Sequence, residues 1–396
     1  MTARLAPSDL TALELDSTQI LAREPRQIDL KQAQRFIADK TVLITGAGGT
    51  IGSELARQVA GFGPKRLVLL DNSEFNLYEI DMELTRTNGA LMIDSRLCDV
   101  CRPDHLNPIF DEIQPQVVLH AAAYKHVPIV EKNPCPGAMT NVLGAKNVFD
   151  AAIEHGTEVV VFISTDKAVN PTNFMGATKR IAELYAQALD IAQTGTRFVT
   201  VRFGNVLGST GSVAPLFQRQ IAQGGPITVT HPDVQRYFMT TREAVQLVIQ
   251  AATLSTNSGR ILAHDGRIFV LDMGEPVRIV TLAERMIEAA GLVPHQDIEI
   301  EYTGLRPGEK LFEEVFHDLE KLLRTGVDGI LLASPSMIDL PLLTPRLADV
   351  VRCAKACDRP ALEEAVHHLV PEFRPRAPQR ISQDENDPAG KSDGSA

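Results

Sequence analysis

Thr165, Asp166 and Lys167 put a hydroxyl, a carboxylate and an amine on three consecutive residues. Just before them, Val159 to Ile163 form a continuous apolar run that reads as a buried parallel strand. The three groups therefore crown a strand end, where ligands bind in open α/β sheets. A neighbouring carboxylate and amine can each be tuned toward neutrality by burial and by the other, which suits the pair to proton transfer with a bound substrate. Farther on, Lys179 follows Met175 by four residues, and Met175 has no titratable proton with which to act as a base.

A second constellation precedes these. Thr45-Gly46-Ala47-Gly48-Gly49-Thr50-Ile51-Gly52 follows an apolar strand and opens a helix, the context a dinucleotide fingerprint needs. Gly46 permits the tight turn, Gly49 lets the backbone approach a pyrophosphate, and Gly52 allows close helix-to-strand packing, with Thr50 and Ile51 at the helix start facing the anion. Asp71 closes the second strand, nineteen residues after Gly52, where a carboxylate can bind both ribose hydroxyls and repel a 2′-phosphate. NAD is thus expected over NADP. Asp99 and Val100 end the third strand, where a carboxylate can meet the adenine amine, and Ala121 ends the fourth.

The elements that must position these groups are legible as alternating apolar runs and amphipathic stretches from Thr41 to Arg202. The runs Val42 to Thr45, Arg66 to Leu70, Leu91 to Leu97, Val117 to Ala121, Val159 to Ile163 and Phe198 to Val201 read as strands. The fold class expected is α/β, a doubly wound parallel sheet of the Rossmann kind with a smaller mixed α/β substrate part. Residues 1–35 carry no strong periodicity and read as a lead or linker. Residues 36–203 read as the NAD-binding domain, and 204–370 as mainly substrate-binding, with some segments returning to the first domain. The polar end, 371–396, reads as a disordered tail.

Composition narrows the partners. With 396 residues and 44% apolar residues, the chain can bury a large core. A formal net charge of -11 disfavours nucleic acid and anionic membrane surfaces, so a phosphate site must be built locally. Five cysteines form no disulfide framework and fit a reducing, cytoplasmic compartment. The pairs Cys98/Cys101 and Cys353/Cys357 have no further His or Cys at ligand spacing, so no metal is expected. No run reaches the length of a membrane span, and the start lacks the layout of a signal peptide.

The spacing of Thr165, Met175 and Lys179, with the glycine turn, resembles the extended short-chain dehydrogenase/reductases. Within residues 38 to 320, the blocks STDKA, NFMGATKR, RFGNVLGSTGSVAP, HPDVQRYFMT and GLRPGEKLFEE are similar to the polysaccharide-biosynthesis UDP-N-acetylglucosamine 4,6-dehydratases. The resemblance is to a branch carrying Met at 175, where the wider superfamily has a catalytic Tyr. It implies oxidation of sugar C4 by NAD, loss of water across C5 and C6, and return of the hydride to C6. It further implies that Asp166 is the acid, that Lys167 is the base, that Thr165 binds the C4 oxygen, and that Lys179 holds the nicotinamide ribose. Lys125, His126 and Asn141 lie in segments that face cofactor or sugar in the superfamily. Asn205, Arg236 and Arg306 are expected at the UDP-sugar, the arginines because guanidinium suits phosphate.

The base for the C4 hydroxyl stays open between Thr165 relaying to Asp166, a water, and Tyr124. Two other functions compete: a 4-epimerase, disfavoured by the Asp166–Lys167 pair, and a non-catalytic dinucleotide sensor, which has no use for that triplet. A homo-oligomer is expected. Ile20 to Asp29 resembles the linker that follows a membrane region in long family members, so the chain is either the cytoplasmic-face soluble part of a tethered enzyme or a short form.

Overall fold

The computed structural model describes residues 21, 23, 26, 29–257, 265–314, 316 and 322–375. The first twenty residues and the end from 376 onward lie outside them. Six parallel strands carry the fold: β1 (Thr41–Thr45), β2 (Arg66–Asp71), β3 (Ile93–Leu97), β4 (Val117–His120), β5 (Val159–Ile163) and β6 (Arg197–Arg202). Their spatial order is β3-β2-β1-β4-β5-β6. The order reverses beside β1, whose neighbours are β2 and β4, and this opens the ligand crevice at the strands' carboxyl ends. β1, β4 and β5 are buried along their whole length, as runs such as Val-Val-Val-Phe-Ile require when helices cover both faces.

The sheet continues beyond β6 with segments from the second half of the chain. Ile268–Leu271 pairs parallel to β6, then Ile330–Ala333 and Leu323–Arg324 add antiparallel edge strands, making nine in all. One face is covered by the helices Ala145–Glu154 and Phe174–Ala192 with the hairpin of Leu340–Lys355 and Arg359–Leu369, the other by Thr50–Ala60, Thr241–Asn257 and Leu30–Ile37. A third apolar cluster, with Phe217, Ile227, Leu282 and Met286 at its centre, holds the appended part together.

Two stretches depart from the sequence reading. Leu30–Ile37 is a helix capped by Asp29, which accepts from the amides of Lys31 and Gln32. At eight residues it is too short to show a period, yet Ala33, Phe36 and Ile37 are buried. Within residues 371–375, read as tail, one residue docks: Phe373 is 3% exposed and stacks on His367 at 4.9 Å, and the amide of Arg374 donates to the carbonyl of Pro171. One aromatic ring outweighs the polar composition around it. Among the described residues, no helix is long and apolar enough to cross a membrane.

Candidate active site

The dinucleotide cleft is built first. Gly46 adopts φ +68°, and a Cβ there would come within 2.6 Å of the backbone of Ala122. A Cβ on Gly52 would stand 1.9 Å from the carbonyl oxygen of Gly46. Only glycine lets β1, the turn and the following helix approach this closely. Gly49 caps the Thr50–Ala60 helix without a side-chain bond, leaving the helix N-terminus open to an anion. Beside it, Gly46, Gly49, Asp71, Asp99, Val100 and Ala121 are among the residues lining a cleft of ≈ 190 Å³. Asp71 accepts from the amides of Gly48 and Ser73 at 2.9 Å each, which braces its carboxylate against the glycine turn. These features fit a dinucleotide. Thr50 hydrogen-bonds the amide of Thr210, so the loop after β6 reaches the helix start.

The acid–base cluster forms at the end of β5. Thr165 is extended, and its hydroxyl accepts from the amide of Lys167, starting a short turn over Asp166–Ala168. Asn173 then caps the helix Phe174–Ala192 by accepting from the amide of Gly176 at 2.8 Å. This geometry brings Lys179 back to β5, where its Nζ donates to the carbonyl of Ile163 at 2.6 Å. Burial pushes the Lys179 amine down to about 7.

Asp166 is fully buried. Its Oδ1 accepts from the Thr165 hydroxyl at 2.9 Å and from Lys167 Nζ at 3.0 Å, while its Oδ2 is buried without a partner. Lys167 also donates to Asn205 Oδ1 at 3.3 Å and faces Glu313 at 3.7 Å. Burial disfavours its ammonium, but the carboxylates of Asp166 and Glu313 outweigh burial and raise it above the ordinary lysine value. Lys167 in this state is therefore an ammonium, not a ready base.

The other expected residues divide. Arg236 is buried, its guanidinium engaged by Glu309 at 3.3 Å, Glu313 at 3.7 Å and the carbonyls of Gln235 and Leu311. Arg306 is exposed on the same turn as Glu309, to which its amide donates. Lys125 and His126 are exposed, with His126 against Gly211 of the loop that also reaches Thr50. Asn141 lies behind the cleft loop that carries Tyr124. It is 1% exposed, and its amide is spent on both backbone groups of Tyr124 and on the Thr178 hydroxyl. Tyr124 lines the dinucleotide cleft. Met175, 3% exposed, packs in the apolar core.

Several groups were missed in the sequence. His120 is buried, with its Nδ1 2.7 Å from the Thr45 hydroxyl, and burial pushes it down to about 3. Glu183 accepts from Ser164, Arg202 and Arg180 behind the β5 end. Its position one turn after Lys179 was the available signal. Glu309 and Glu313 lay unused in GLRPGEKLFEE. Burial and the neighbouring Asp99 push the thiols of Cys98 and Cys101 up to about 11 and about 12. Among the described residues, no group of three metal-ligating side chains comes together.

A family of proteins described as polysaccharide biosynthesis proteins matches residues 42–335, most of the chain and all of this site. The chain belongs to that family. CapD of Staphylococcus aureus, described as a capsular polysaccharide biosynthesis protein, is 45% identical over 347 residues that cover 85% of this chain and 56% of CapD. The chain thus spans about half the length of that relative. A UDP-N-acetylglucosamine 4,6-dehydratase (inverting) of Campylobacter jejuni is 32% identical over 75% of this chain and 84% of its own length. UDP-glucose 4-epimerases also match. Among solved structures, Pen from Bacillus thuringiensis superposes with a TM-score of 0.68 at 34% identity, covering 77% of this chain and 90% of that one. The family is thus one of nucleotide-sugar dehydratases and epimerases.

Proposed function

We propose that this chain is an NAD-dependent 4,6-dehydratase of a UDP-N-acetylhexosamine, with UDP-N-acetylglucosamine as substrate. NAD would be held by the glycine turn from Gly46 to Gly52, by Asp71 at the ribose, by Asp99, Val100 and Ala121 at the adenine side, and by Lys179. When bound, it supplies a reversible hydride acceptor.

The observation that carries the reading is the buried Asp166 carboxylate, bonded at once to the Thr165 hydroxyl and the Lys167 ammonium, with one oxygen left without a partner. An epimerase needs proton transfer only at the C4 hydroxyl, and Met175 cannot provide it. Elimination needs two more groups, an acid at the C6 oxygen and a base at C5, and Asp166 and Lys167 are a matched pair for these roles. Thr165 would bind the C4 oxygen and pass its proton to Asp166, the role that Tyr plays elsewhere in the superfamily. Arg306 and Arg236 would take the diphosphate.

The test is chromatographic separation of the sugar nucleotides, read by mass spectrometry, after incubation of UDP-N-acetylglucosamine with the purified protein and NAD. Loss of one water supports the reading. An isomer of unchanged mass indicates epimerisation, and unchanged substrate excludes both.

A further inference from the structure

Glu313 stands between the two cations of the site. Its Oε1 lies 3.7 Å from Lys167 Nζ and 3.7 Å from Arg236 Nε, its side chain is 5% exposed, and its Oε2 is buried without a partner. It arrives on a segment docked against the β5 connection, where Thr172 and Asn173 donate to the carbonyl of Gly308 and Lys310 donates to that of Val169. A buried carboxylate with an orphaned oxygen is costly, and neither phosphate binding nor the acid–base pair requires it.

We propose that Glu313 is a positioning residue that holds Lys167 in its ammonium form in the resting site, and that Arg236 limits this hold by sharing the same carboxylate. The inference rests on the dehydratase reading for its consequence, though not for the interaction itself. In that reaction Asp166 collects the C4 hydroxyl proton through Thr165 and gives it to the C6 oxygen, which leaves as water. Lys167 takes the C5 proton and later returns one to C5, with the hydride balance left to the bound dinucleotide. The proton count closes only if Lys167 enters as the free amine. The ammonium that these carboxylates favour is then an idle form, and Glu313 helps set the pH at which the enzyme becomes active.

Among the described residues, the charged and polar groups facing Lys167 are Asp166 from its own turn, Asn205 from the strand Asn205–Leu207, and Glu313 and Arg236 from the appended part, with Glu309 beyond Arg236. Removing an anion from this set must favour the amine, and removing the cation must favour the ammonium.

The experiment is NMR titration of Lys167 Nζ in protein labelled with ¹⁵N-lysine, without substrate, in the parent and in Glu313→Gln, Glu313→Asp, Arg236→Ala and Arg236→Lys. The expected result is a downward shift of about one pH unit or more in Glu313→Gln, an upward shift in Arg236→Ala, and near-parent titration in the two charge-conserving variants. The rising limb of kcat/KM against pH should move down with Glu313→Gln. Parent-like titration of Glu313→Gln, or shifts of the same sign in Glu313→Gln and Arg236→Ala, would overturn the inference. A parent that forms no dehydrated product refutes the proposed reaction, while the titration still decides whether Glu313 holds Lys167.

Discussion

Lys179 Nζ donates to the carbonyl of Ile163 at 2.6 Å while standing 4.0 Å from the centre of the Phe162 ring, so a buried amine ties the end of β5 to the helix that follows it. Burial lowers its pKa from 10.5 to about 7. The unfolded chain therefore binds more protons than the folded one between these values. As pH falls from 10.5 toward 7, stability is lost, by at most ~1.4 kcal/mol per pH unit, and below 7 no further loss arises from this group. Denaturant titrations of the parent and Lys179→Met should show their stability difference changing across this window in the parent's favour as pH rises. A difference independent of pH would mean that Lys179 is not held in the dry position described.

Asp71 presents a braced carboxylate to the cleft, and a dinucleotide with a 2′-phosphate would bring two anions together there. The protein should bind NAD more tightly than NADP. Asp71→Asn keeps an acceptor for the glycine-turn amide, and should narrow the gap by about tenfold, ~1.4 kcal/mol. Calorimetric titration with both dinucleotides checks this, and equal affinities in the parent would remove Asp71 from the ribose.

The two arginines should separate by stability. Arg306 is exposed, so Arg306→Ala should raise KM for the UDP-sugar and leave the unfolding midpoint unchanged. Arg236→Ala should raise KM too, but it also takes one cation from Glu309 and Glu313, leaving Glu313 with Lys167 and Glu309 with the Arg306 amide and the Thr230 hydroxyl, a loss of about 1 to 3 kcal/mol. Substrate kinetics and urea unfolding on both variants test the distinction. Equal stability losses would contradict it.

What was legible in the sequence follows physical range. The central strands were readable because β1, β4 and β5 are buried along their length and built mostly of apolar β-branched residues, and the glycine turn because backbone crowding admits little else at Gly46 and Gly52. Thr165, Asp166 and Lys167 are adjacent in the chain, so their convergence needed only a strand end. Glu313 reaches Lys167 from 146 positions away, and no local pattern reports such a contact. The clamp of Asn141 on the backbone of Tyr124 was not legible, because an amide in a loop-facing segment looks alike whether it binds a ligand or holds a neighbouring backbone. Phe373 and the helix Leu30–Ile37 were hidden by polar neighbours and by shortness.

The most direct measurement is proton NMR of UDP-N-acetylglucosamine incubated with the protein and NAD in D₂O. If Asp166 and Lys167 carry out elimination across C5 and C6, a new methyl signal appears for C6, uncoupled because C5 has taken deuterium, and Lys167→Ala forms no such product. A product inverted at C4 that keeps its C5 proton and its C6 hydroxyl, or full dehydration by Lys167→Ala, would contradict the account.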